Sequence, residues 1–346
     1  MSFLHYTIPA YKASFNAALN RGDKEMANNI AMAAAEEVLR QGDEGEGRIL
    51  IWKEFFSVVD KHFTSQYQSY DFELADYKMF SLAPNTMLFR GPRPTLAAIA
   101  GGNYVTFLGA AQLFGRFHSP GLHDIVAKAL KIETLNLSMG GAGPEFFLRK
   151  DFLTAVNASK AVVLQVLSGR SVGCDEYPGM RMTTRRGDKS GTQIDRLELL
   201  KEIWKEDSRE AIRLVKKWRK IYMELMHDLL DQIHVPIVLV WISKRAPGDW
   251  APKNLETAPD FGHFPQLVGA GMVEKIAARC AHYLEVSSDK GLPFGFVSRF
   301  NGKKCPFLWA PAGTLGWKND YYPSVSVRDE LAPQLIRSLQ EIISCV

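Results

Sequence analysis

The stretch YVTFLGAAQLFGRF, residues 104–117, decides the fold. It opens as a short β-rich apolar run, Gly109 permits a sharp turn, and the residues after the turn read as the start of a helix. In α/β enzymes a turn of this shape often carries a nucleophile. Here it carries two methyl groups, Ala110 and Ala111.

Working outward, the same grammar recurs. TLNLSM (134–139), KAVVLQVL (160–167), VPIVLVWI (235–242) and HYLEVS (282–287) are further strand-like runs. Helical patterns separate them at 122–130, at 145–156, as a long charged pair over 194–232 and at 264–280, and a last helix closes the chain at 328–344. Nearly unbroken apolar strands alternating with helices predict a parallel sheet covered on both faces. The expected fold class is α/β: a three-layer, doubly wound, flavodoxin-like sheet of about five strands over 103–346. Upstream, 1–65 reads as a helical extension, with helices at 11–19 and 24–40 around the turn NRGD and a third in ILIWKEFFSVVDKHF. Residues 66–102, with Pro84, Pro92 and Pro94, read as a connector.

Composition narrows the function classes. The 346 residues are 46% hydrophobic and 23% charged, enough for a sizeable core. A net charge of +4 is too small to argue for nucleic acid as a partner. The longest apolar runs fall far short of the ~20 residues that span a bilayer, and the first residues lack a signal-peptide pattern. The four cysteines (Cys174, Cys280, Cys305, Cys345) lie far apart, which argues against a metal site and a disulfide scaffold and for a cytoplasmic setting. No dinucleotide fingerprint or P-loop is present, so no cofactor is expected.

Ligands of such sheets bind beyond the strand C-termini. After the first run stand Gly109, Gln112 and Arg116; after the second, GGAGPEFF offers Gly141 and Gly143 to a close-approaching ligand. After the third, SGRSVGCDEYPGMRMTTRRGDKSG carries Gly169, Arg170, Ser171 and a basic cluster through Arg181, Arg185, Arg186 and Lys189, suited to an anion. After the fourth comes a long Pro-rich loop with Asp260 and His263.

These blocks resemble, in order, the SGNH hydrolase superfamily of GDSL-type esterases. More narrowly, FRGPRP, LFGRF, NLSMGGAGPEFFL, QVLSGRS and FPQLV resemble an uncharacterised bacterial domain-of-unknown-function family, family 6473. The superfamily resemblance implies a nucleophilic serine two residues after Gly109, an oxyanion glycine at Gly140 or Gly141, an asparagine where Ser171 stands, and an acid and a base where Asn319 and Tyr322 stand. None of the triad side chains is retained. A methyl group cannot attack a carbonyl, and a phenol is a poor base at neutral pH. The narrower resemblance carries an association with cell-surface polysaccharide functions.

The expectation is therefore a pseudoenzyme candidate that binds or modifies an anionic small molecule or carbohydrate in surface-polysaccharide production. Gly109, Gln112, Arg116, Gly141, Gly143, Gly169, Arg170 and Ser171 would form its site, with 181–189 as a lid. Two alternatives stand beside it. One is an acyl or sulfuryl transferase, or an esterase, with a relocated nucleophile: Cys174 with His118 or His263, or His263 with Ser138, Ser168 or Ser171. The other is a scaffold acting through the N-terminal helices, where Ile49, Trp52, Phe55 and Phe56 would form an exposed patch and homo-oligomers would assemble.

Overall fold

The computed structural model describes residues 4–40, 50–56, 58, 67, 71–82, 87–179, 182–185, 193–309 and 314–344. The chain forms two compact units that interleave in sequence. One comprises Pro94–Phe114, Leu122–Gly291 and Pro323–Val346; the other comprises Met1–Arg93, Gly115–Gly121 and Leu292–Tyr322. Contacts thus divide the chain differently from the sequence-based boundaries at 65 and 102.

The first of these units holds a five-stranded sheet. Its strands are β1 (Tyr104–Leu108), β2 (Glu133–Asn136), β3 (Ala161–Gln165), β4 (Ile237–Ser243) and β5 (His282–Ser287). They lie in the order β2-β1-β3-β4-β5, all parallel, with Thr106 opposite Leu135 and Val162, and Leu164 opposite Leu239. That is the doubly wound α/β order the sequence predicts. Every residue of β1, β3 and β4 is buried, so both faces are covered, while β5 is a partly exposed edge. Val105, Phe107, Val163 and Val240 share one core with Leu331, Leu335 and Leu339 of the last helix, Val325–Ser344.

Helix ends are set by capping rather than by the apolar pattern. The charged segment 194–232 breaks into Arg196–Glu206 and Ser208–Gln232 at Asp207, which turns extended and accepts from the Arg209 and Glu210 N–H groups. The segment 145–156 divides into Pro144–Phe147 and Lys150–Asn157 at Arg149, whose side chain makes no cap bond. The expected helix over 264–280 shortens to Ala270–Ala277. Trp218 and Tyr222 of the long helix are buried packing residues.

In the other unit, helices Leu4–Asn20 and Lys24–Arg40 form a hairpin about Gly22, whose φ of +70° suits a glycine. Phe15, Ala18, Ala27, Ala31 and Ala34 are buried, and the Phe15 ring meets Phe55 edge-on. Phe55 and Phe56 are buried in a short π-helical turn, Trp52–Phe56, so they form no exposed patch. Ile49 lies outside the described residues, as does the side chain of Trp52. No helix among the described residues is long and apolar enough to cross a membrane.

Candidate ligand-binding site

The turn after β1 is built around Gln165, the last residue of β3. Its Oε1 accepts from the N–H of Ala110 (2.8 Å) and of Leu113 (3.2 Å). Its Nε2 donates to Gln112 Oε1 at 3.3 Å. Backbone N–H groups only donate, so this amide orientation is fixed. A Cβ at Gly109 would stand 2.6 Å from both Gln165 Oε1 and Leu113 Cβ, which explains the glycine. Ala110, Ala111 and Gln112 are buried. A turn whose geometry could have presented a nucleophile and free donors presents neither: both N–H groups face a side-chain amide.

After β2 the chain turns at Ser138 to Gly143. Ser138 donates its N–H to Asn136 Oδ1 at 3.0 Å, and its own hydroxyl is buried with no hydrogen-bond partner among the described residues. Gly141 has φ +72°, and Met182 packs where its Cβ would be. Gly143 is extended, and a Cβ there would fall 1.8 Å from the Ser171 carbonyl oxygen. The two strand-end loops therefore run against each other, and Gly143 is the residue that lets them. The next helix, Pro144–Phe147, is a single turn and gathers little dipole for an anion.

After β3, Gly169 N–H and Ser168 Oγ both bond Gln266, at its carbonyl and at its side-chain oxygen, each at 2.8 Å. Ser171 is buried. Arg170 is half-buried, and its Nη1 lies 3.2 Å from both oxygens of Asp195. Asp195 also caps helix Arg196–Glu206 through the Leu197 N–H at 2.8 Å. The expected bare cation is thus an ion pair. Cys174 accepts the Trp218 indole N–H at 3.4 Å, and its loop is pinned by Arg196, which donates to the carbonyls of Tyr177 and Gly179. Burial pulls Arg196 down to about 10. Thr183–Arg185 pairs with Gln193–Asp195; Arg181, Arg186 and Lys189 of the expected lid lie outside the described residues.

After β4, Arg245 organises the long loop. Its guanidinium donates to the carbonyls of His263, Ala246, Pro265 and Val268 and stacks on Trp241. Burial lowers it to about 10 as well. The His263 ring makes no hydrogen bond to the described residues, and Asp260 is spent on Gly262 N–H and Asn254. Neither a Cys174–His263 pair nor a serine–His263 pair is formed.

Arg116 belongs to the other unit and does not offer a free fork. Its Nε and Nη2 grip the two oxygens of Asp71 at 2.9 and 3.1 Å, and its Nη1 donates to Tyr322 Oη at 2.9 Å. The Tyr67 ring lies under the guanidinium, 4.0 Å from its carbon. Burial opposes this charge, but Asp71, then Tyr322 and Tyr67, outweigh it and hold Arg116 above its ordinary range. The same burial pushes the Asp71 carboxyl up, with Arg116 as the counterweight. Asn319, also in this unit, accepts the Tyr321 and Tyr322 N–H groups and donates to the Tyr322 carbonyl. The positions of a base and an acid are thereby turned to structure.

The structure brings Gly109 and Gln112 together through Gln165, and Gly143 against Ser171; Gly141 and Arg170 both meet Met182. Gln165, Asp195 and Gln266 escaped the sequence reading, although a lone glutamine inside the apolar run KAVVLQVL signals a buried amide that needs partners. Among the described residues no group of three or more His, Cys, Asp and Glu could hold a metal ion.

No curated protein matches the chain. Solved structures similar to it include a Corynascus thermopiles (Myceliophthora fergusii) carbohydrate esterase family 2 enzyme with a carbohydrate binding domain, at 11% identity and TM-score 0.35, covering 75% of this chain and 70% of that one. A putative SGNH hydrolase from Slackia heliotrinireducens matches at 12% identity and TM-score 0.34, over 68% of this chain and 98% of that one. A family two carbohydrate esterase from Clostridium thermocellum, in complex with cellohexaose, matches at 10% and 0.34, over 75% and 68%. The family described as Domain of unknown function matches residues 66–188 and 196–295, and this α/β chain belongs to that family, DUF6473.

Proposed function

We propose that this protein binds a carbohydrate or sugar precursor bearing an acidic group at the carboxyl ends of its parallel sheet, without serine-type ester hydrolysis, in surface-polysaccharide production. The observation that carries the reading is the Gln165 side chain bonded to the N–H groups of Ala110 and Leu113, in a turn with no nucleophile. Gly141, Arg170, Met182 and Asp195 would form the contact rim. Gly109, Gln112, Gly143, Gly169 and Ser171 would hold the loops behind it. Arg170 can exchange partners at modest cost, because Asp195 keeps the Leu197 N–H when a ligand carboxylate, phosphate or sulfate takes the fork.

Thermal-shift measurements with UDP-glucuronic acid, a sulfated disaccharide and neutral cellobiose test this, each with wild type and Arg170→Ala. Stabilisation by an acidic sugar that the variant loses supports the reading. No shift with any acidic sugar overturns it. A second reading, a relocated nucleophile, draws on the Ser138 hydroxyl, which has no partner among the described residues, but the side chain that Ser138 does bond, through its N–H, is the Asn136 amide rather than a base.

A further inference from the structure

Helix Ser208–Gln232 shows solvent a stripe whose charges are sorted by sign. At 3.6 residues per turn, positions 209, 213, 216, 220, 224, 227 and 231 fall close to one line along the helix. Arg209, Arg213, Lys216, Lys220, Glu224 and Asp231 on that line are exposed, and so is Asp228 beside it. The opposite side, with Trp218, Tyr222 and Leu229, is buried. From Arg209 to Lys220 the helix carries six basic residues and one acid, Glu210; from Ile221 to Gln232 it carries three acids and no lysine or arginine.

Helix stability does not explain this order. Like charges three or four residues apart repel, and the stripe stacks Arg209, Arg213, Lys216 and Lys220 in one half and Glu224, Asp228 and Asp231 in the other. The macrodipole favours acids at the amino end and bases at the carboxyl end, yet the last turn holds Asp231 and no basic residue. Neighbouring elements use part of the charge: Arg213 and Lys217 reach Glu176, and Asp231 pairs with Arg279. Lys220 meets Glu224 of its own helix only loosely, at 3.7 Å, with both side chains more than half exposed. Arg209, Lys216 and Asp228 form no ion pair among the described residues.

We propose that this stripe is the contact of a homodimer, in which the same helix of a second copy lies antiparallel across it. A two-fold axis at the level of Tyr222 sets Lys220 against the partner's Glu224, Lys216 against the partner's Asp228 and Arg213 against the partner's Asp231. Each pair occurs twice, and at a rise of ~1.5 Å per residue the pairs sit about 3, 9 and 14 Å from the axis. Turning the stripe end for end converts its pattern into its own complement, which is what an isologous interface requires. The half-buried Met223 beside the axis and the aliphatic lysine stems supply the apolar part of the contact. A nucleic-acid strand or an acidic peptide laid along the helix would run from the basic half onto three carboxylates, and a basic peptide would meet the converse. Exposed pairs of this kind are individually weak and screened by salt, so the dimer is weak and salt-sensitive.

Sedimentation velocity of the full chain at low and at high ionic strength tests this. The wild type sediments as a dimer at low salt and dissociates as the Debye length falls from about 30 Å at 0.01 M to about 3 Å at 1 M. Lys216→Glu with Lys220→Glu extends the acidic half of the stripe, and Glu224→Lys with Asp228→Lys extends the basic half. Each double variant then faces its own charge across the axis, and its dimer weakens about tenfold or more. Mixed in equal amounts, the two double variants form a heterodimer, and all four changes in one chain restore the homodimer. The four side chains are exposed, so far-UV circular dichroism of every variant matches the wild type. A wild type that stays monomeric at low salt overturns the proposal. So do double variants that dimerise as the wild type does, or a mixture of them that fails to associate. The strand-end ligand plays no part in any of these outcomes.

Discussion

Replacing Gln165 by Leu removes the acceptor that holds the turn after β1 while nearly preserving volume. In the wild type its Oε1 takes two buried N–H groups, at 2.8 and 3.2 Å, and its Nε2 serves Gln112. Leucine leaves both N–H groups and the Gln112 oxygen without that partner. Each buried group left unpaired costs about 1–3 kcal/mol, and no cavity opens, so the expected loss is about 3–5 kcal/mol. For a unit of this size that corresponds to about 6–20 °C in melting temperature. Gln165→Glu keeps an acceptor for the two N–H groups, and Gln112 can turn its amide to donate, so it separates the acceptor role from bulk. The assay is thermal unfolding followed by circular dichroism, with urea midpoints as a check. A loss below about 1 kcal/mol for Gln165→Leu would mean that the turn does not depend on this side chain, and the reasoning about the occupied donors fails with it.

Other perturbations probe separate links. Arg116→Met strands Asp71 as a buried unpaired charge and costs about 3–5 kcal/mol in urea titrations; Arg116→Lys recovers little, since one ammonium cannot serve both oxygens and Tyr322. Gly143→Ala forces the Ser171 carbonyl away from a 1.8 Å approach and lowers stability by about 2–3 kcal/mol or more, whereas the open Gly248 takes alanine with little effect on melting. Burial pushes the Cys280 thiol from 9.0 to about 12. The folded chain then holds this proton where the unfolded chain releases it, so the contribution is intact below about pH 9 and is lost as pH rises toward about 12. Iodoacetamide should modify Cys280 orders of magnitude more slowly than a free thiol at pH 8. A rate within a few-fold of the free thiol would contradict that burial.

The three central strands are legible because each is a nearly continuous apolar run, and burial on both faces of a parallel sheet writes that run into the sequence. Helix limits were less legible, since a cap such as Asp207 interrupts a charged pattern that runs on through it. Side-chain chemistry is what marks a site residue in a sequence, and folding uses much of that chemistry itself. Arg170 and Arg116 look alike in sequence as forks for an anion, yet the first is shared with a helix cap and the second is enclosed with Asp71 and four aromatic rings. Their partners lie 25 and 45 residues away, beyond any local spacing rule. The split into two interleaved units was hidden for the same reason: Gly115–Gly121 and Leu292–Tyr322 join the N-terminal helices only in space.

Binding at the strand ends without a serine nucleophile is open to direct test. Intact-mass spectrometry after incubation with a fluorophosphonate, alongside p-nitrophenyl acetate turnover, tests it most directly. An unmodified mass and turnover no faster than the buffer are expected. Stoichiometric phosphonylation of a serine, at Ser138, Ser168 or Ser171, with matching loss of an esterase activity, would contradict it.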